Sequence, residues 1–390
     1  MLQNHTFCPI LGGIENYLYY VSKTLERMGH QPVILCEKHD EKLTDFDIYD
    51  GIPVIRHPYY KIPKPVLFMK PKLISRQLKH FIREHAGDID LVISRYPQYC
   101  YATCLADLGV PTFYIPATVY WNYTKRSSEI SDFKQKFFNL VWKPILDNME
   151  SKSIIMSRRV ITLSRHISNS LAQYYNLDSE RFFVNPPGVD LDRFKKSDSS
   201  KELRHEFDIQ EDMVVVLYVG RLSIEKNVDR LIKSFSELKR KDIHLLIVGC
   251  GPERLRLEQL RNDLNMIDKV TFVGLRKDVE RFYTMADIFV LPSKYEAFGQ
   301  VILEAMAAGL ACVAFKKVLP AYEVASEELI RDGLTGFCVD PYDLDEFREK
   351  LLYLIDNPNV RGKMGAEGRR ICAREFTWEG HVRRLLDLLN

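Results

Sequence analysis

At 390 residues the chain is too long for one ordinary hydrophobic core, so two domains are expected. Its 46% hydrophobic and 28% charged residues are those of a globular protein and exclude a disordered one. With 55 Lys and Arg against 53 Asp and Glu the net charge is only +2, and no recognised nucleic-acid motif occurs, so nucleic acid is not an expected partner. No run approaches the roughly 20 apolar residues of a membrane span, and no charged-then-apolar leader opens the sequence. The eight cysteines lack Cys-x-x-Cys or Cys/His pairing, which argues against a metal site and for a reducing, cytoplasmic setting. Cys100 and Cys104 share a helical face and read as small core residues.

Met1–Thr6 is short and polar, where a doubly wound sheet begins with an apolar strand. The expectation is therefore a missing first strand, through truncation or a misplaced start, which would expose a central sheet edge. Pro9-Ile-Leu-Gly12-Gly13-Ile-Glu15 then leads into a helix that reaches Leu25 and Gly29-His30. Strand-like runs at Val33–Cys36, Leu91–Ser94, Phe113–Ile115 and Val160–Leu163 alternate with helical segments. Between them, Lys61–His85 carries seven Lys and Arg against Glu84 alone, interleaved with apolar residues such as Phe68, Leu78 and Ile82. Such a segment either docks on an anionic membrane leaflet or packs its apolar side on the domain and leaves a basic face in water. A second basic and aromatic region, Trp121–Lys143, reads as part of the same surface or as a lid over an acceptor. Residues 1–185 hold 23 Lys and Arg and 18 Asp and Glu, leaving 32 and 35 for the rest, so the basic excess lies in the first half.

Pro186-Pro-Gly188 and the polar run Lys195–Lys201 mark a break. They divide a first domain, 1–190, from a second, 200–372, with a last helical segment, 373–390, containing Trp378, Leu385 and Leu386. In the second domain Val214–Val219, Leu245–Val248, Val270–Val273, Ile288–Leu291 and Ala311–Ala314 again alternate with helices, which predicts parallel sheets with helices on both faces.

Three of these strands run into glycine-bearing loops. Val214–Val219 enters Gly220-Arg221, with Lys226 five residues on and a helix predicted at Val228–Lys239. Glycine lets the backbone turn, and two cations of different geometry suit a diphosphate; the bland reading is a solvated basic loop. Leu245–Val248 enters Gly249-Cys-Gly251-Pro252, which lacks the full Gly-x-Gly-x-x-Gly pattern and a suitably spaced acid, so it is not read as a nicotinamide site. Ile288–Leu291 enters a loop with Glu296 and Gly299, followed by a helix predicted at Val301–Gly309 that contains Glu304. A loop at the carboxyl edge of an α/β sheet is a ligand position, and the following helix start suits phosphate. Carboxylates there accept hydrogen bonds from hydroxyls; phosphate plus hydroxyls points to a nucleotide sugar. The bland reading is a strand-loop-helix unit with an acidic cap.

In this order and spacing, Gly220-Arg221 with Lys226, Gly249-Cys-Gly251-Pro252, Val270-Thr-Phe-Val-Gly274, Asp287–Ser293, Glu296–Glu304 and Asp332-Gly333-Leu-Thr-Gly336 resemble glycosyltransferase family 4. The first half is similar more loosely, at Pro9–Glu15, Ile161–Ser164 and Asn185–Phe194. The resemblance implies an α/β GT-B fold: two Rossmann-like, doubly wound parallel-sheet domains facing across a cleft, with the last helix crossing back to the first domain. It implies transfer of a hexose from a UDP- or GDP-linked donor with retention of configuration, without a cofactor or metal. Arg221, Lys226 and Glu296 would be the catalytic groups. Gly12, Gly13, Gly220, Gly249, Gly251, Phe298, Gly299, Gln300, Val301 and Glu304 would bind the donor, Glu304 at the ribose. One departure stands out: where many members carry a histidine after a first-domain strand, this sequence has Ala117, with Tyr120 or His166 as substitutes. The acceptor is expected to be a lipid-linked or cell-surface glycan at the inner face of the cytoplasmic membrane; a small cytosolic acceptor and a non-catalytic donor-binding relative are the alternatives.

Overall fold

The computed structural model describes residues 1–8, 12–58, 70–85, 87, 89–117, 140, 143–195 and 199–389, with backbone alone at 70–75, 85 and 199–201. Pro9–Leu11, Lys61–Met69, Tyr120 and nearly all of Trp121–Lys143 lie outside these residues. The chain divides into two units: residues 1–187 with 378–390, and residues 188–377.

Among its described residues the first unit has eight strands: β1 (Leu2–Gln3), β2 (Ile34–Glu37), β3 (Phe46–Tyr49), β4 (Ile52–His57), β5 (Val92–Ser94), β6 (Thr112–Tyr114), β7 (Arg159–Thr162) and β8 (Phe182–Val184). Their order is β3-β4-β2-β1-β5-β6-β7-β8. Two findings depart from the sequence reading. The strand expected to be missing is present in two-residue form, with Leu2 paired in parallel to Ile34 on one side and Ile93 on the other. Hydropathy passes over it because Leu2 alone supplies the apolar side chain; Gln3 is buried too, and accepts the Thr103 hydroxyl at 2.8 Å. Second, the sheet is not wholly parallel. β3 and β4 form an antiparallel hairpin across Asp50-Gly51, both at positive φ (48° and 82°), the two-residue turn that Asp-Gly favours.

The helix Gly13–Arg27 buries Tyr17, Leu18, Val21 and Leu25 against this sheet. The helix Trp378–Asp387 enters the same core with Trp378, Val382 and Leu385. Trp378 stacks on Tyr20 at 5.2 Å, and the Tyr17 hydroxyl meets His381 Nε2 at 2.7 Å. In the basic segment, the helix Lys70–His85 puts Leu78 and Ile82, both fully buried, against Tyr99, Ala102 and Ala106 of the helix Pro97–Ala106. Of the two readings of that segment, its described part follows the packed one.

The second unit has a six-stranded, wholly parallel sheet. Its strands are β9 (Val214–Val219), β10 (Ile243–Val248), β11 (Val270–Gly274), β12 (Ile288–Leu291), β14 (Ala311–Phe315) and β16 (Gly336–Val339), in the order β11-β10-β9-β12-β14-β16. A separate two-stranded ladder joins β13 (Tyr295–Glu296) to β15 (Glu323–Val324). Nearly every residue of β9, β10, β12 and β14 is buried, as strands covered on both faces require. The chain steps from β9 outward to β10 and β11, then returns to β12 on β9's other side. That reversal makes the carboxyl ends of β9 and β12 the switch point, where a ligand crevice is expected. Among the described residues no helix is long and apolar enough to cross a membrane.

Candidate functional site

Two of the three loops singled out in the sequence, those after β9 and β12, leave the sheet at this switch point. After β9 the chain passes Gly220 and Arg221 into a short 3₁₀ turn, Ile224–Lys226, and then the helix Val228–Glu237. Asn227 sits between turn and helix at a φ of 59°, which Asn tolerates. Its buried amide donates to the Pro292 carbonyl at 3.0 Å, and the Lys294 N–H donates to the Glu225 carbonyl at 2.8 Å. These two bonds clamp the first loop to the one that follows β12. Asn227 is a site-building residue that the sequence reading missed, because its role depends on a contact 65 positions away.

The clamp brings Lys226 to Glu296. Lys226 Nζ donates to Glu296 Oε2 at 2.5 Å, with the two side chains 19% and 16% exposed, and Ser293 Oγ lies 3.4 Å from the same oxygen. The Glu296 backbone is fixed by the β13–β15 ladder, its carbonyl accepting from Ala325 N–H at 3.2 Å. Arg221 is exposed, and its guanidinium has no side-chain partner among the described residues; its carbonyl accepts from the Tyr218 hydroxyl at 3.0 Å and the Ser223 N–H at 3.2 Å. The site thus combines an anchored ion pair with an uncommitted cation.

Beyond Glu296, Gly299 adopts a φ of 95° and caps the helix Gln300–Ala307, a conformation that favours glycine. Phe298 is buried beside it. The first turn of this helix leaves backbone N–H groups without intrahelical partners. The Gln300 side chain is committed elsewhere, its Nε2 donating to the Gly188 carbonyl at 3.1 Å. One turn on, the Glu304 carboxylate accepts the Tyr283 hydroxyl at 2.9 Å, and Val301 offers its carbonyl to the same hydroxyl at 3.4 Å. Burial pushes the Glu304 carboxyl up to about 7, against the opposing pull of Tyr283 and Arg193. Tyr283 and Arg193 are contacts that no local sequence signal announces.

Gly249 and Gly251 answer to packing. A Cβ on Gly249 would sit 1.9 Å from the Gly220 carbonyl oxygen, and one on Gly251 2.2 Å from that of Leu222. The bonds Gly220 N–H to Val248 O (3.0 Å) and Leu222 N–H to Cys250 O (2.9 Å) lay the two loops directly against each other. In the first unit, Gly12 N–H donates to Glu15 Oε2 at 3.0 Å, and Glu15 also accepts the Thr6 hydroxyl at 2.7 Å. Gly13 opens the helix with nothing within 4 Å of where a Cβ would stand. Ala117 follows β6 in the described chain, and His166 is buried on the helix Arg165–Tyr175.

Two α/β units, the second with a wholly parallel sheet that bears cations and carboxylates at its switch point, form the architecture of the GT-B fold. Residues 11–193 match the family described as Glycosyltransferase Family 4, and residues 199–371 that described as Glycosyl transferases group 1. The chain belongs to these glycosyltransferases. The alpha-D-kanosaminyltransferase of Streptomyces kanamyceticus is 29% identical over 259 residues, which is 64% of this chain and 65% of that protein. The chain thus spans just under two thirds of that relative. The GDP-mannose-dependent alpha-(1-6)-phosphatidylinositol monomannoside mannosyltransferase of Mycolicibacterium smegmatis is 27% identical over 410 aligned positions, covering 100% of this chain and 98% of that protein. Among solved structures, sucrose-phosphate synthase from Thermosynechococcus elongatus superposes with a TM-score of 0.80 at 21% identity, covering 99% of this chain and 97% of that one.

Proposed function

We propose that this protein transfers a hexose from a UDP- or GDP-linked donor to a lipid-linked or cell-surface glycan acceptor, with retention of anomeric configuration. The observation that carries the reading is the Lys226–Glu296 pair beside the uncommitted Arg221 at the β9/β12 switch point. A diphosphate arriving there meets Arg221 first. Lys226 can share itself between phosphate and Glu296, and Glu296 keeps lone pairs for the hydroxyls of the donor sugar. As the bond between sugar and phosphate stretches, negative charge grows on the departing phosphate, and fixed cations stabilise that charge without further reorganisation. In this reading the two side chains and the backbone N–H groups at Phe298–Gln300 take the charge-neutralising role, so transfer runs without an added divalent ion. Glu304 receives the ribose hydroxyls.

The end-to-end likeness to a GDP-mannose-dependent enzyme whose acceptor is a phosphatidylinositol mannoside supports a GDP donor and a lipid-borne acceptor. A lipid-borne acceptor would put the work at the inner face of the cytoplasmic membrane.

The test is thermal unfolding against UDP-, GDP- and ADP-sugars, in EDTA and in Mg²⁺, followed by product analysis with the sugar that binds. A ligand at about 100 times its Kd adds roughly 2.7 kcal/mol. A shift with one nucleotide class in EDTA, and an α-linked product from an α-linked donor, are expected. A shift that needs Mg²⁺ would overturn metal independence, an inverted product would overturn retention, and binding without turnover would leave a donor-binding relative.

A further inference from the structure

A glutamate that receives ribose hydroxyls needs its carboxylate held in place. Glu304 follows the start of a helix by a single turn, and a glutamate side chain there has several rotamers. Tyr283, from the helix Val279–Met285, is fully buried. Its ring is wedged edge-on to Phe194, centroids 5.4 Å apart, and tilted against Phe289 at 5.8 Å. Packing therefore fixes where its hydroxyl points, and that hydroxyl lies 2.9 Å from Glu304 Oε2. Having one proton, it donates to the nearer acceptor, the carboxylate, and not to the Val301 carbonyl at 3.4 Å. Glu304 Oε1 has no partner among the described residues. Arg193, which also favours the charged form, is forked onto Glu280 Oε2 at 3.1 and 2.8 Å. One oxygen is held and the other is left to accept.

We infer that Tyr283 is a positioning residue, holding Glu304 so that its second oxygen receives the vicinal hydroxyls of the donor's ribose. This rests on the ribose role of Glu304 proposed above. The groups acting on the Glu304 charge are Tyr283 and Arg193, which favour the carboxylate, and Glu280, which disfavours it. Losing the tyrosine hydroxyl frees the carboxylate to rotate and also makes it easier to protonate.

The experiment is calorimetric titration of UDP and GDP and of their 2′,3′-dideoxy counterparts into the wild-type protein, Tyr283→Phe and Glu304→Gln. Wild type is expected to prefer the ribose form of its nucleotide on the order of tenfold or more, the range of hydrogen bonds to a charged group. Tyr283→Phe keeps the ring in its aromatic wedge. It is expected to cut the preference to about threefold or less while dideoxy affinity stays within about twofold. Its ribose preference should also set in at higher pH than in wild type, because the bond that favours the carboxylate is gone. A merely structural tyrosine would lower the unfolding temperature or weaken both nucleotides alike. If Glu304→Gln loses the ribose preference and Tyr283→Phe keeps it, the positioning role is overturned and the ribose role stands. If Glu304→Gln keeps it, the ribose role itself is overturned, and the positioning role with it.

Discussion

Single residues at the switch point separate into those held by the fold and those left free by it. Arg221 is exposed and unpaired among the described residues. Arg221→Ala is therefore expected to leave the unfolding temperature unchanged and lower kcat by about 10²–10³, the cost of one preorganised group. Initial rates beside a melting curve check both halves. Glu296 is different, because removing it strands a partly buried Lys226. Glu296→Gln should lose a similar factor in rate and some stability as well. The glycines divide in the same way. A Cβ at Gly249 would overlap the Gly220 carbonyl at 1.9 Å, whereas one at Gly13 would meet nothing within 4 Å. Gly249→Ala should therefore prevent or severely weaken folding. Gly13→Ala should fold at least as well as wild type, since alanine favours a helix start over glycine. A fall in kcat/KM for Gly13→Ala at unchanged stability would mark a close approach of substrate to that backbone; unchanged kinetics would remove Gly13 from the donor-binding set.

At the scale of elements, the strands legible from sequence are those buried on both faces. β9 and β12 run over Val214–Val219 and Ile288–Leu291, the residues the apolar runs predicted. Such strands carry their signal in their own side chains. β1 does not, because Gln3 and Asn4 are buried polar residues and only Leu2 is apolar. The β3–β4 hairpin was equally hidden, with β3 exposed over Phe46–Ile48, although Asp50-Gly51 is a turn signal that could have exposed it. The site shows the same division. The loops that carry Arg221, Lys226 and Glu296 and the helix that carries Glu304 were legible in the sequence, while Asn227, Ser293 and Tyr283 join the candidate site through contacts that only the folded chain makes. The shortness of β1 has a consequence for stability. Leu2 is 1% exposed in the middle of an eight-stranded sheet, between Ile34 and Ile93. Leu2→Ala should cost about 2–5 kcal/mol, as a large-to-small change in a packed core does. A fall in the denaturation midpoint of the first unit at constant m-value would show this. A cost under about 0.5 kcal/mol, the range of ordinary surface changes, would mean that β1 adds little to the sheet.

For the whole molecule, the two units should respond to acid differently, and the reason lies in their buried titratable groups. His381 donates from Nδ1 to the Pro186 carbonyl at 2.8 Å and accepts the Tyr17 hydroxyl at Nε2, which fixes the neutral ring. His57 repeats the pattern with the Pro58 carbonyl at 3.0 Å and the Tyr99 hydroxyl at 2.5 Å. Burial holds His381 down to about 3 and His57 to about 4, and both belong to the first unit. A histidine whose folded value is depressed contributes stability above its unfolded value near 6.5, and that contribution is lost as pH falls toward the folded value. Each one can cost up to about 1.4 kcal/mol per pH unit across that window. The second unit also has one such histidine, His244, lowered by burial to about 4 and set 2.9 Å from the Thr271 hydroxyl. There, however, Glu304 works in the opposite direction. With its folded value raised to about 7, the folded state binds the proton more tightly, so stability falls as pH rises from about 4.5 to 7 and is regained on acidification. The first unit should thus lose stability steeply between pH 6.5 and 4.5, while in the second the two effects largely offset each other. Differential scanning calorimetry from pH 8 to 4.5, with saturating nucleotide to mark the second unit's transition by its ligand shift, tests this. The earlier-melting unit in acid should be the one that nucleotide does not move. His381→Gln should flatten its pH dependence, and equal acid sensitivity of both transitions would refute the assignment.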